Sequence, residues 1–229
     1  MAKTTKNYKA GKIRSDNQAK ILRAAEIEFA QSGFKGASIM SIAKRANLPR
    51  PNIHYYFANK LDLYSCVLMD VLALWNEAFD LVTAEDDPAE AIGNYIHAKV
   101  MYSKTNPLAS KIFANELIHG APHLSEYLNT DYRKWLLDKS QVIQEWVTQG
   151  KMDPVDPLYL IWLIWASTQH YADFSVQVST VIGKPRLSDE EFEAVADNLR
   201  HIILKGCGIE TQTQYLDQNK SNDLNHPAE

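Results

Sequence analysis

The chain has 229 residues, a mass of 26.0 kDa, a hydrophobic fraction of 45% and a formal net charge of −4, enough to bury one large core or two small ones. Its two cysteines, Cys66 and Cys207, stand in no CxxC or metal-type spacing, and its longest apolar run, Leu158 to Ala166, falls well short of the ~20 residues that cross a bilayer. A disulfide scaffold and a membrane-spanning protein are therefore excluded, and a soluble cytoplasmic protein with no cofactor is expected.

The charge is unevenly placed. Residues 1–60 hold twelve Lys and Arg against three acids (+9), whereas the remainder holds 12 against 25 (−13). Lys3, Lys6, Lys9, Lys12 and Arg14 follow one another with no acid between them, so residues 1–15 read as a basic flexible arm. Such an arm either lies along phosphate and minor groove or is an ordinary solvated tail. From Asp16 to Ser32 the apolar positions Ile21, Leu22, Ala25 and Phe29 describe an amphipathic helix, ended by Gly33.

Next, Ile39, Ile42, Ala43 and Ala46 share one helix face, while Lys44 and Arg45 take the other. Ser38 is placed to cap this helix, and Asn47 to end it in a left-handed backbone. A second short helix begins near Arg50 or Pro51, because proline suits a first helical turn. It carries Asn52, His54, Tyr55 and Tyr56 outward and Ile53 and Phe57 inward. A short helix, a tight turn and a polar, aromatic second helix form the layout of a helix-turn-helix whose second helix enters the major groove. Arg50, Asn52 and His54 are placed for base edges and Tyr55 and Lys60 for phosphates.

The segment Ile42-Ala43, Ala46-Asn47-Leu48, Ile53 and Tyr55-Tyr56-Phe57, followed by Asn59-Lys60 and Leu63, resembles the DNA-binding signature of the tetracycline-repressor (TetR) family. The resemblance implies a double-stranded DNA operator contacted from Ser38, Arg50, Asn52, His54, Tyr55, Tyr56 and Lys60. It also implies an all-α fold, with a helix-turn-helix domain over 16–60 and a helical effector-binding and dimerisation domain over 61–208. Pro49 stands where the family usually has a small hydroxyl residue capping the recognition helix.

Asn59 caps a long helix with the stripe Leu63, Val67, Val71, Leu74 and Trp75, which runs from the basic unit into the acidic remainder and can transmit a movement between them. Beyond it, Asp87-Pro88, Asn106-Pro107 and Asp156-Pro157 read as helix starts, and Gly120, Gly150, Gly183 and Gly206 as stops. Ser188 and Glu191 read as a capping box. No stretch alternates over strand length, and the tail 209–229 is polar and expected to be disordered. The helices Asp156 to Ile182 and Ser188 to Lys205 are the expected pairing surface of a homodimer.

Glu116 and His119 make a single E-x-x-H pair. A di-iron site needs two pairs and two further glutamates, so no metal is expected and the pair reads as a polar helix end. His119 and His123 are separated by Gly120 and Pro122, which break the helix that would align them. No nucleophile elbow or phosphate-cradling loop occurs, and an enzyme is not expected.

On Ile164 to Phe174, Trp165, Gln169 and Asp173 share a face that the apolar entry to the helix predicts to be buried. That face is either a polar network between helices or a pocket that hydrogen-bonds a small flat molecule. The segment Trp165 to Phe174, with Trp75, Lys99 and Ala109-Ser110, resembles the pyrimidine-utilisation regulators within the TetR family. The resemblance implies a pyrimidine such as uracil or thymine, or a related catabolite, as small-molecule effector, and release of a repressor from DNA. Trp75, Lys99, Trp165, Thr168, Gln169, Tyr171 and Asp173 are the residue types such a ring needs. A regulator of another nitrogen or nucleobase pathway, and a DNA-binding protein without effector, are the alternatives.

Overall fold

The computed structural model describes residues 2–210, which form helices and connecting turns with no strand among them. Helix α1 spans Ala2–Gly36 and bends at Gly33, whose φ of 65° lies in the left-handed region that glycine enters without a Cβ penalty. Residues 2–15, read above as an arm, continue the backbone of α1. Repeated lysines do not break a helix, and no proline interrupts the stretch. The polar tail from position 211 onward lies outside the described residues.

Helices α2 (Ile39–Ala46) and α3 (Arg50–Tyr56) make the helix-turn-helix. Ser38 Oγ accepts the Ser41 N–H at 3.0 Å, and Asn47 ends α2 at φ 53°, as its tolerance of that region requires. Helix α4 (Lys60–Asp80) starts at Asn59, whose Oδ1 accepts the Asp62 N–H at 3.0 Å. Helices α5 (Pro88–Thr105) and α6 (Pro107–Ile118) follow. A short α7 (Ser125–Tyr127) runs through a π-helical turn at Leu128–Tyr132 into α8 (Arg133–Thr148). The chain closes with α9 (Pro157–Asp173), α10 (Ser175–Ile182) and α11 (Asp189–Gly206).

Most helix starts follow the sequence. Asp87 and Asp156 accept first-turn N–H groups, and the Ser188 and Glu191 capping box is complete. Asn106 departs from the pattern, because it makes no side-chain cap for α6 and its amide donates to Thr105 instead. The Ala109 N–H is taken by the Glu26 carboxylate, which reaches across from α1. The single helix expected from Asp156 to Ile182 is two, parted at Phe174. Two bonds from α6 straddle the break, Ser110 Oγ donating to Asp173 Oδ1 at 2.5 Å and Lys111 Nζ to Ser175 Oγ at 3.0 Å, so a neighbouring helix holds both sides of the turn.

One hydrophobic core runs without interruption from α1, α2 and α3 through α4 to α6, by way of Ile21, Phe29, Ile42, Ile53, Phe57, Leu63, Val71, Trp75 and Phe113. A second joins the end of α4 to α5, α8, α9 and α11 around Phe79, Tyr95, Trp146, Ile161 and Leu204. Helix α4 belongs to both, so the helix-turn-helix is packed directly on the element that enters the second core.

Candidate DNA-reading face and effector site

On the reading helix, Ile53 and Phe57 are buried and hold α3 against the core. Arg50, His54 and Tyr55 are exposed, Tyr55 to 69%, and Asn52 is half-buried. Pro49 supplies no side-chain cap, and the first turn is closed by the Asn52 N–H on the Pro49 carbonyl at 2.9 Å. The Arg14 guanidinium lies 5.7 Å from the Tyr55 ring centre, so the end of the basic segment reaches the same face.

Three residues of the expected DNA surface are engaged within the protein. Tyr56 is half-buried, packs on the core and meets Tyr55 edge-on at 5.0 Å. Ser38 is bonded to the backbone and hydroxyl of Ser41. Lys60 turns inward: its Nζ donates to Phe34 O at 2.7 Å and Ala37 O at 3.0 Å, approaches Lys35 O at 3.4 Å, and sits 4.6 Å from the Phe34 ring centre. The ammonium thus satisfies the orphan carbonyls at the end of α1 and its link to α2, which otherwise need partners.

Of the residues expected to hold an effector, Trp75 on α4, Lys99 on α5, and Trp165 and Asp173 on α9 come together, with Ser110 and Phe113 of α6 beside them, while Gln169 lies half-buried on α9 one turn before Asp173. Lys99 is only 2% exposed, with its Nζ 4.2 Å from the ring centre of Trp75 and 5.9 Å from that of Trp165. Burial pulls its pKa down to about 7, against the opposing pull of Asp173, because a desolvated ammonium is disfavoured. Burial likewise pushes Asp173 up, opposed by the Ser110 hydroxyl and the charges of Lys99, Lys111 and His170. Phe113 meets Trp75 edge-on at 4.8 Å.

Two expected contacts are not brought to this site. Thr168 is fully buried, its hydroxyl donates to Ile164 O at 2.7 Å, and its carbonyl accepts from Ser103 at 2.9 Å. Tyr171 packs instead against the small cluster of Val100, Phe192 and Ala196. The Trp165 indole N–H is occupied by Tyr95 Oη at 2.5 Å, so Trp165 offers a ring face rather than a donor. An open cleft of about 310 Å³ lies elsewhere, between α1, α4 and the start of α6.

Glu116 differs from its sequence reading as a polar helix end. It is 4% exposed, and its carboxylate accepts from Tyr64 Oη at 2.9 Å and from the His123 N–H at 2.6 Å, with the His123 ring also within reach. The His123 ring lies 4.2 Å from Phe34 of α1. His119 Nδ1 bonds its own helix, at Asn115 O. Helix α6 is therefore tied to α1 at its start by Glu26 and to α4 at its end by Glu116. Among the described residues no set of His, Cys, Asp and Glu is grouped to hold a metal ion, and no helix is long and apolar enough to cross a membrane.

Residues 21–66 match the family described as bacterial regulatory proteins, tetR family, and residues 68–210 match the C-terminal region of YcdC-like proteins. The chain belongs to the TetR family. It is therefore a DNA-binding, ligand-responsive transcriptional regulator of all-α fold and not an enzyme. The HTH-type transcriptional regulator RutR of Escherichia coli K12 is 38% identical over 198 residues, which cover 86% of this chain and 93% of RutR. The repressor NicS of Pseudomonas putida is 30% identical over 110 residues, 48% of this chain and 52% of NicS. Among solved TetR-like folds, GusR of Salmonella enterica aligns with a TM-score of 0.60 at 17% identity, over 84% of this chain and 95% of GusR. AibR, solved with isovaleryl coenzyme A and operator DNA, aligns with a TM-score of 0.61 at 16% identity, over 81% of this chain and 97% of AibR.

Proposed function

We propose that this TetR-family regulator is a dimeric repressor, released from its operator when a pyrimidine such as uracil or thymine, or a related flat catabolite, enters the site around Trp75, Lys99, Gln169 and Asp173. The observation that carries the reading is that a buried cation, a carboxylate and two indole faces converge from α4, α5 and α9. A pyrimidine presents N–H donors beside carbonyl acceptors on a flat ring. Asp173 suits the donors, Lys99 the acceptors, Gln169 either, and the indoles the ring.

Trp75 lies on the helix that packs the reading unit, and Ser110 lies on the helix tied to α1 and α4. A ring that parts Lys99 from Trp75, or draws Asp173 from Ser110, acts on both. It shifts the equilibrium only by its tighter binding to the arrangement that does not fit DNA. Release is tested by gel shift on the DNA upstream of the protein's own gene. The shifted band should dissolve with uracil or thymine at up to millimolar concentration, and retention of the band with every pyrimidine would overturn the effector.

The dimer rests on a different observation. Tyr159, Trp162 and Leu163 on α9 and Ile202 on α11 are exposed large apolar side chains, and such a patch is costly to leave in water. One helix-turn-helix reads one half-site, so a two-fold pair is needed for two. Light scattering should give twice the chain mass without DNA or ligand; a stable monomer at micromolar concentration would rule the dimer out.

A further inference from the structure

Lys99 is a side chain only 2% exposed, with its Nζ against two indole faces and no side-chain hydrogen bond ending on it among the described residues. Comparable lysines elsewhere in the chain are held by oxygens: Lys60 by Phe34 and Ala37, and Lys139 by Asp80 and Val82. An ammonium has three donors, and a cation whose nearest neighbours are ring faces gains most from an oxygen placed before it, because a charge-assisted bond is the strong kind.

We propose that Lys99 is the specificity-determining residue of the effector site, selecting a planar ring that turns a carbonyl or carboxylate oxygen toward Nζ, and that it binds this oxygen as the ammonium, so that effector binding takes up a proton. Planar cations are excluded by the same charge. The inference rests on the effector site proposed above and adds to it the polarity of the ligand and its linkage to pH.

The charged groups that bear on Lys99 are few. Asp173 on α9 acts on it directly, and Lys111 on α6 and His170 on α9 act on Asp173. From α4 the facing group is the Trp75 indole, which does not titrate in this range. Free Lys99 loses its proton near neutrality, whereas an oxygen on Nζ favours the charged form and raises its pKa in the complex. Affinity is then full below the free pKa and falls by about tenfold per pH unit above it, until the raised pKa of the complex is reached.

Calorimetry on the full chain with uracil, benzoate and benzamidine, from pH 6 to 9 and in two buffers of different ionisation heat, tests this without any variant. Uracil should bind with proton uptake near pH 8 and at least tenfold weaker at pH 9 than at pH 6, and benzamidine should not bind. Lys99→Met, which keeps length and removes charge, should weaken uracil at least tenfold at pH 6 and lose the pH dependence, with a thermal melt confirming its fold. Uracil binding that is flat with pH and unchanged in Lys99→Met would overturn the role of Lys99 while leaving the pyrimidine reading intact. Benzoate binding that needs Lys99, with no uracil binding, would overturn the pyrimidine and uphold Lys99. Binding of neither, or of benzamidine as tightly as benzoate, would overturn the inference.

Discussion

The two ends of this regulator solve opposite problems with similar residue types. On the reading helix, Arg50, His54 and Tyr55 stand in solvent and are supported from beneath by two buried side chains, Ile53 and Phe57. In the proposed effector site the polar groups are partly withdrawn from water and meet partners in the protein itself: Ser110 meets Asp173 and Trp165 meets Tyr95. A surface that must meet phosphate and base edges keeps its donors in water, where they stay available at low cost. A buried site has to satisfy them internally, and in the site proposed here Lys99, Gln169 and the second oxygen of Asp173 are the groups offered to a ligand.

The sharpest way to break the contrast is to remove the support under the reading helix. Ile53→Ala deletes a fully buried side chain and should cost about 2–5 kcal/mol while abolishing operator binding, although Ile53 touches no DNA. Because the same core continues into α4 and α6, calorimetric melting should show one lowered transition. A lowered first transition beside an unchanged second one would show the two regions to be energetically separate.

Lys60 tests which region a residue belongs to. Its ammonium is engaged with the carbonyls of Phe34 and Ala37, and bonds from a charged donor are worth about 1.5–3 kcal/mol. Lys60→Ala should therefore lower the melting temperature and leave the salt dependence of operator binding nearly unchanged. Loss of about one from the slope of log affinity against log salt would show that the ammonium leaves Phe34 for a phosphate on DNA. Asn52→Ala should instead leave stability alone and cost about 1–3 kcal/mol at one base pair, and an unchanged sequence preference would remove Asn52 from the groove.

What could be read from the sequence divides along the same line. The caps at Ser38, Asn59 and Ser188, the left-handed Asn47 and the inward pair Ile53 and Phe57 each depend on neighbours within four residues, where spacing decides the outcome; Gly33, expected to end the first helix, bends it instead. The contacts that escaped it join residues far apart: Glu26 to the start of α6, Glu116 to Tyr64, Lys60 to the end of α1, and Ser110 to the break at Phe174. A carboxylate in an E-x-x-H pair reads as a helix end until the tyrosine 52 residues away is seen to reach it. Spacing puts Trp165, Gln169 and Asp173, one per turn, on a face expected to be buried, but they are half-buried, and it is Leu160, Ile161, Ile164, Thr168 and Ala172 that α9 buries. The types of Thr168 and Tyr171 suit a ring as well, but residue type does not say which way a helix face turns.

Gln169→Ala should abolish release by uracil with DNA affinity unchanged, since Gln169 is half-buried beside Asp173's face and no element of the reading unit depends on it. An unchanged response would remove Gln169 from the site.

The smallest effect is expected at Thr168, and it is the most discriminating. Its hydroxyl lies one residue from Gln169, but it is fully buried and donates back to Ile164 O, a carbonyl the helix already uses. Thr168→Val keeps the shape and removes one hydrogen bond, which is worth about 0.5–1.5 kcal/mol. The melt should fall slightly, while uracil affinity and operator release stay within twofold of the parent. If Thr168→Val instead weakened uracil tenfold with the melt unchanged, the hydroxyl would have to rotate from Ile164 toward the ligand. The site would then have to open along α9 rather than between Lys99 and Trp75, and the route by which the ring acts on α4 would have to be redrawn.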